Sequence, residues 1–83
     1  MSADDLTHTI LDAITTIAPD LEGEDIDLDA DLQDDLGLDS MDSLNLVAAI
    51  RERTGVEIAE RDVPRLRTVT AIAAYLAERT NGV

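Results

Sequence analysis

The sequence has no cysteine, no tryptophan and no phenylalanine, and Tyr75 is its single aromatic residue. Without cysteine, neither a disulfide framework nor a thiolate metal site can form. Basic residues are scarce, six against nineteen acids, for a formal net charge of −13. Nucleic acid binding needs clustered Lys and Arg to displace counterions, so it is not expected. Anionic membrane surfaces are disfavoured on the same grounds. No apolar run approaches the roughly 20 residues of a membrane span. The segment Met1-Ser2-Ala3-Asp4-Asp5 lacks the basic start and apolar stretch of a signal peptide. A cytoplasmic monomer is the default expectation. The 83 residues provide for a single domain over 1–83. A domain of that size buries only about 60% of its unfolded surface. It has little room for the cleft of about 300–1,000 Å³ that most small-molecule enzymes use. A binding or carrier module is favoured over an enzyme, and a basic protein surface is the natural partner.

Hydrophobic spacing predicts an all-α fold. Leu6, Ile10, Ala13, Ile14 and Ile17 recur at intervals of three and four, which predicts a first helix from about Asp4 to Ala18. Ser2 and Asp5 resemble a capping box, and Pro19 stops the helix. A second helix is expected from Asp39-Ser40 to Thr54, with Met41, Leu44, Val47 and Ala48 as its inner stripe. Leu46 and Ile50 would widen that stripe, and Gly55 is placed to cap its end. A short helix or turn is expected between Glu60 and Leu66. Thr68 then caps a last helix from Val69 to about Thr80, ended by Asn81-Gly82. The connection from Pro19 to Asp39 has no sustained helical period. It reads as an ordered loop pinned by Ile26, Leu28, Leu32, Leu36 and Leu38, with one helical turn from Leu32 to Leu36 closed by Gly37. The architecture is a small three-to-four-helix bundle with a long ordered loop between helices 1 and 2.

Most candidate chemistry fails on inventory. The ladder Asp25, Asp27, Asp29, Asp31 invites a calcium reading. An EF-hand loop needs glycine at its sixth place and glutamate at its twelfth. Counting from Asp25, those places hold Ala30 and Leu36; counting from Asp27, they hold Leu32 and Leu38. No specific metal site is expected. His8 is the lone histidine and reads as an exposed surface residue. No Gly-x-Ser-x-Gly elbow and no glycine-rich phosphate loop occurs. No catalytic residue is assigned.

The segment Leu36-Gly37-Leu38-Asp39-Ser40-Met41-Asp42 is different. Ser40 falls at a predicted helix start just after a glycine turn, where a hydroxyl is exposed. A phosphate there would gain about 0.3–1 kcal/mol from the helix dipole. Asp39 and Asp42 flank it as a charged handle for a basic partner. Capping of the helix by Asp39 or Ser40 is the plainer use of the same residues.

Leu36-Gly37-Leu38-Asp39-Ser40-Met41 resembles the Leu-Gly-x-Asp-Ser-Leu signature of acyl carrier proteins, with Met41 in place of leucine. Leu44, Val47, Ile50, the pair Glu57-Ile58 and the pair Thr68-Val69 fit the family's downstream landmarks when counting starts from Ser40. Asp42-Ser43-Leu44 offers a literal Asp-Ser-Leu, but no glycine stands three residues before Ser43 as Gly37 does before Ser40. The resemblance implies that a phosphopantetheinyl transferase attaches 4′-phosphopantetheine from coenzyme A to Ser40. It implies that acyl groups then ride as thioesters on the arm's thiol, and that the helices part to shelter them among Ala13, Met41, Leu44, Ala48 and Ala73. It also implies partner enzymes, acyl-loading and acyl-processing, with basic docking patches meeting Asp34, Asp35, Asp39, Met41 and Asp42. Asn45, Arg51 and Arg53 stand at positions commonly acidic in the family, which favours a specialised fatty-acid, polyketide or lipid pathway over housekeeping. The Leu-Asp-Ser-Met string is also similar to D-alanyl carrier proteins. A helical acidic interaction module without a prosthetic group is the rival outside the carrier class.

Overall fold

A computed structural model describes residues 3–23 and 25–81. Three α-helices, α1 (Ala3–Ile17), α2 (Ser40–Thr54) and α3 (Val69–Asn81), are joined by two 3-10 helices, η1 (Pro19–Leu21) and η2 (Glu60–Arg65). The three expected helices and the short fourth one form within a residue or two of the predicted limits. The expected Ser2–Asp5 capping box and the stop at Gly82 lie outside the described residues. The turn η1 is not expected from the periodicity. It forms because Pro19 has its backbone angle preset for a helix start and no N–H to satisfy there.

Helix α1 is the centre of the packing. Leu6, Ile10, Ala13 and Ile14 are buried on one face, as their spacing predicts. That face packs against both α2 and α3, while α2 and α3 hardly touch each other. Leu32 and Leu38 from the long loop and Ile58 from the link between α2 and η2 complete the core, and Val63 of η2 packs against it.

The inner face of α2 includes Leu46 and Ile50 as predicted but differs at Met41, Leu44 and Ala48. Leu46, Ala49 and Ile50 are buried, Val47 is half-buried, and Met41 and Leu44 are 71% and 54% exposed. Ala48 is exposed too. At about 100° per residue, the Met41, Leu44 and Ala48 line lies opposite the Leu46, Ala49 and Ile50 line. Periodicity finds both stripes and cannot rank them. Arg53 decides the matter: Nε donates to Asp12 Oδ2 at 3.0 Å and Nη2 to Thr16 Oγ1 at 3.0 Å, which turns its own stripe towards α1. Met41, Leu44 and Ala48 therefore do not line the core, contrary to expectation.

The long loop is ordered by its own acids. Asp27 Oδ1 accepts from Asp29 N–H, and Asp31 Oδ1 accepts from the N–H groups of Gln33 and Asp34. The expected turn over Leu32–Leu36 is present. Gly37 leaves it at φ +76°, a left-handed angle that side chains resist, and Leu38 N–H closes it on the Leu32 carbonyl. The loop is then tied to the start of α3. Leu32 N–H donates to Arg67 O at 2.7 Å, and Thr70 N–H donates to Leu28 O at 3.1 Å. Leu28 itself is more than a third exposed, so this residue pins the loop through its carbonyl rather than its side chain. At the opposite side of η2, Tyr75 Oη donates to Asp62 Oδ2 at 2.8 Å, and the Arg79 guanidinium stacks 3.6 Å from the Tyr75 ring centroid.

Candidate prosthetic-group site

Ser40 is the first residue of α2 and is exposed. Asp39, not Ser40, caps the helix. Its Oδ1 accepts the Asp42 N–H at 2.8 Å, and Asp42 Oδ2 accepts the Asp39 N–H at 3.3 Å, completing a capping box. The Ser40 hydroxyl makes no hydrogen bond with any described residue. Ser43, the rival serine, is one turn further in and half-buried, and its hydroxyl donates to the Asp39 carbonyl at 3.2 Å. One hydroxyl is thus presented and the other is engaged by the helix.

A cleft of about 350 Å³ opens beside Ser40, between the start of α2, the loop and η2. Leu32, Leu44, Val63, Pro64 and Leu66 give it apolar walls, and Gln33, Ser43, Glu60 and Arg67 add polar ones. Behind it is a void of only about 20 Å³ among Leu46, Val47, Ile50, Ile58 and Ile72. Leu32, Ser43, Val63 and Leu66 border both spaces and separate them. No polar side chain is buried in the described core.

The proposed docking residues are dispersed differently from their sequence order. Asp39 and Asp42 are joined by the capping box, with Met41 standing out between them. Asp34 and Asp35 are exposed on the loop turn; Asp35 Oδ2 accepts the Asp31 N–H at 2.8 Å, and Asp34 Oδ2 is 3.4 Å from Arg67 Nη2. Arg53, placed among the departures from an acidic docking helix, is turned inward to Asp12 and Thr16, whereas Asn45 and Arg51 are exposed.

Sequence reasoning does not single out Arg67. Its Nε donates to Asp31 Oδ2 at 2.7 Å and its Nη2 to Asp31 Oδ1 at 3.1 Å, a paired fork across 36 positions that no local motif announces. The guanidinium, aided by the Asp34 and Gln33 N–H groups, lowers the Asp31 carboxyl from an ordinary 3.8 to about 2. The carboxylate in turn raises the Arg67 pKa. Asp29 Oδ1 accepts from Thr70 Oγ1 at 2.8 Å, so the acidic ladder serves loop structure at Asp27, Asp29 and Asp31. Among the described residues, no group of three or more His, Cys, Asp or Glu is arranged to hold a metal ion. No described helix is long and apolar enough to cross a membrane.

A family model described as the phosphopantetheine attachment site matches residues 8–76. The chain is 45% identical over 73 residues to an acyl carrier protein of Streptomyces coelicolor, covering 88% of this chain and 79% of that one. It is 35% identical over 78 residues to an acyl carrier protein of Chlamydia trachomatis serovar D, covering 94% and 95%. A mitochondrial acyl carrier protein of Saccharomyces cerevisiae is 31% identical over 80 residues, covering 93% of this chain and 64% of the relative. The prosthetic group of such a domain is covalent 4′-phosphopantetheine. An exposed, unengaged serine hydroxyl opening on a cleft of mixed polarity fits that group. A helical bundle centred on α1, a free hydroxyl at the start of α2 and a match over most of the chain converge: the chain belongs to the acyl carrier protein family.

Proposed function

We propose that this chain carries acyl intermediates as thioesters on an arm attached to Ser40, in a specialised fatty-acid, polyketide or lipid pathway of the cytoplasm. The observation that carries the assignment to Ser40 is the division of work at the start of α2. Asp39 satisfies the helix end, Ser43 is bonded to a carbonyl, and the Ser40 hydroxyl is left exposed and without a bond to any described residue. When bound, the arm supplies a thiol, which the chain itself lacks.

The chain's own residues present a nucleophile and a surface. Ser40 Oγ would form the new bond to phosphorus as the pyrophosphate linkage of coenzyme A breaks and 3′,5′-adenosine diphosphate leaves. The hydroxyl proton would leave to a base on the transferase, because no histidine or other base among the described residues is bonded to Ser40. The exposed line Met41, Leu44 and Ala48 gives visiting enzymes an apolar strip beside the attachment point. Asp39 and Asp42 flank that strip and steer basic patches towards it. Arg51 and Asn45 interrupt the acidity further along the helix, which narrows the set of enzymes that fit and supports a specialised pathway.

Incubation with coenzyme A and a phosphopantetheinyl transferase, followed by intact mass measurement, tests the assignment. One arm should be added to the wild-type chain and to Ser43→Ala, and none to Ser40→Ala. Loading of Ser40→Ala, or no loading of the wild type by several competent transferases, overturns it.

A further inference from the structure

The cleft beside Ser40 has a cation fixed in its wall. Arg67 is anchored through Nε and Nη2 to Asp31 and through Nη2 to Asp34. Its Nη1 has no partner among the described residues. The backbone around it is pinned as well, since Leu66 N–H donates to Val63 O and Arg67 O accepts from Leu32 N–H. A guanidinium held in this way has already lost most of its rotamer freedom. Donating one more hydrogen bond from it costs little further ordering. Across the same cleft, Glu60 is exposed and its carboxylate makes no hydrogen bond within the described chain.

Resting on the reading that Ser40 bears the arm, we infer that Arg67 is a positioning residue for it: Nη1 donates to an acceptor oxygen of the arm and holds it in the cleft against the body of the protein. The chemistry is complementary. The arm offers phosphate and amide oxygens as acceptors and amide N–H groups as donors. Arg67 and Gln33 supply donors, and Glu60 supplies an acceptor. Leu44, Val63 and Leu66 meet the arm's methyl and methylene groups. The inner void of about 20 Å³ is too small to take the arm, and the described core has no polar side chain to pair with its amides. The outer cleft is therefore where its polar groups are satisfied. Asp31 and Asp34 act through Arg67, by presetting the guanidinium.

The test uses the full chain loaded with an isotope-labelled arm, with the apo chain as control. In the wild type, the arm amides should relax with the protein body, and the arm methyls should show contacts to Leu44, Val63 and Leu66. Arg67→Gln should lower the docked population about fivefold, the effect of one partly screened charged hydrogen bond. Arg67→Lys should recover part of it, since a cationic donor remains. Glu60→Ala should also lower it while leaving the apo spectrum unchanged, because that side chain has no bond within the body to lose. The phosphorus signal and the amide carbonyl signals report which acceptor Arg67 uses. An arm that moves freely in the loaded wild type overturns the inference alone. So does Arg67→Gln with unaltered arm order, or an effect of Arg67→Gln that comes with a rearranged apo loop while Glu60→Ala has none. Failure of the chain to accept an arm at all overturns the Ser40 reading, and this inference with it.

Discussion

At Asp39 and Ser40, two adjacent residues that could each cap a helix have separate tasks. The carboxylate of Asp39 meets the Asp42 N–H, so the hydroxyl of Ser40 has no capping role. Asp39→Ala should therefore destabilise the fold by about 1 kcal/mol, the usual cost of losing an N-cap, measurable by urea denaturation. The serine motif is legible in the sequence because the turn glycine, the cap and the hydroxyl are neighbours in it. Arg67 is not legible, because its partner Asp31 is 36 positions away and only the folded chain joins them. That pair makes a second prediction. The Asp31 carboxyl titrates near 2 instead of 3.8. A depressed folded-state pKa means the pair's stabilisation is present above about 4 and is lost as pH falls from there towards 2. In a carbon-detected NMR titration, Arg67→Gln should move the Asp31 midpoint back up towards 3.8. The stability difference between the wild type and Asp31→Asn should shrink across the same pH window.

Among the elements, α1 and α3 follow their apolar spacing because each has one dominant stripe. Helix α2 has two, on opposite sides, and spacing alone merges them into one wide inner face. What turns the helix is Arg53 reaching Asp12 and Thr16 on α1, a tertiary contact that a one-dimensional pattern does not contain. The stripe left outside is an exposed apolar line next to Ser40. The far end of α2 is closed by Gly55 at φ +75°, with its N–H donating to Arg51 O at 2.8 Å. A methyl group added there would meet no atom within 4 Å, so only backbone strain opposes it. Gly55→Ala should cost about 1 kcal/mol by thermal or urea unfolding, and Gly55→Asn less, because asparagine tolerates the left-handed region better.

The molecule as a whole carries a formal charge of −13 on 83 residues, so its acids repel one another in the compact state. Raising ionic strength from 0.01 to 0.15 M shortens the screening length from about 30 to about 8 Å. The melting temperature should rise by about 5 °C, which for a domain this small corresponds to roughly 1 kcal/mol. A flat response in a calorimetric salt series would show that the carboxylates are spaced widely enough to ignore one another. The all-α class, the helix order and the ordered loop were readable from spacing, turn residues and the apolar residues that punctuate the loop, whereas the folding of the loop by its own acids was not. The cleft was not, because its walls come from three segments that meet only in space. The arrangement around α1 also has a mechanical meaning. Adhesion in this bundle is lopsided: one helix grips two others that barely grip each other. A passenger wedged into the seam on the far side would shift η2 and a few leucine and valine side chains and leave both main grips intact, so the bundle can yield at one edge without coming apart.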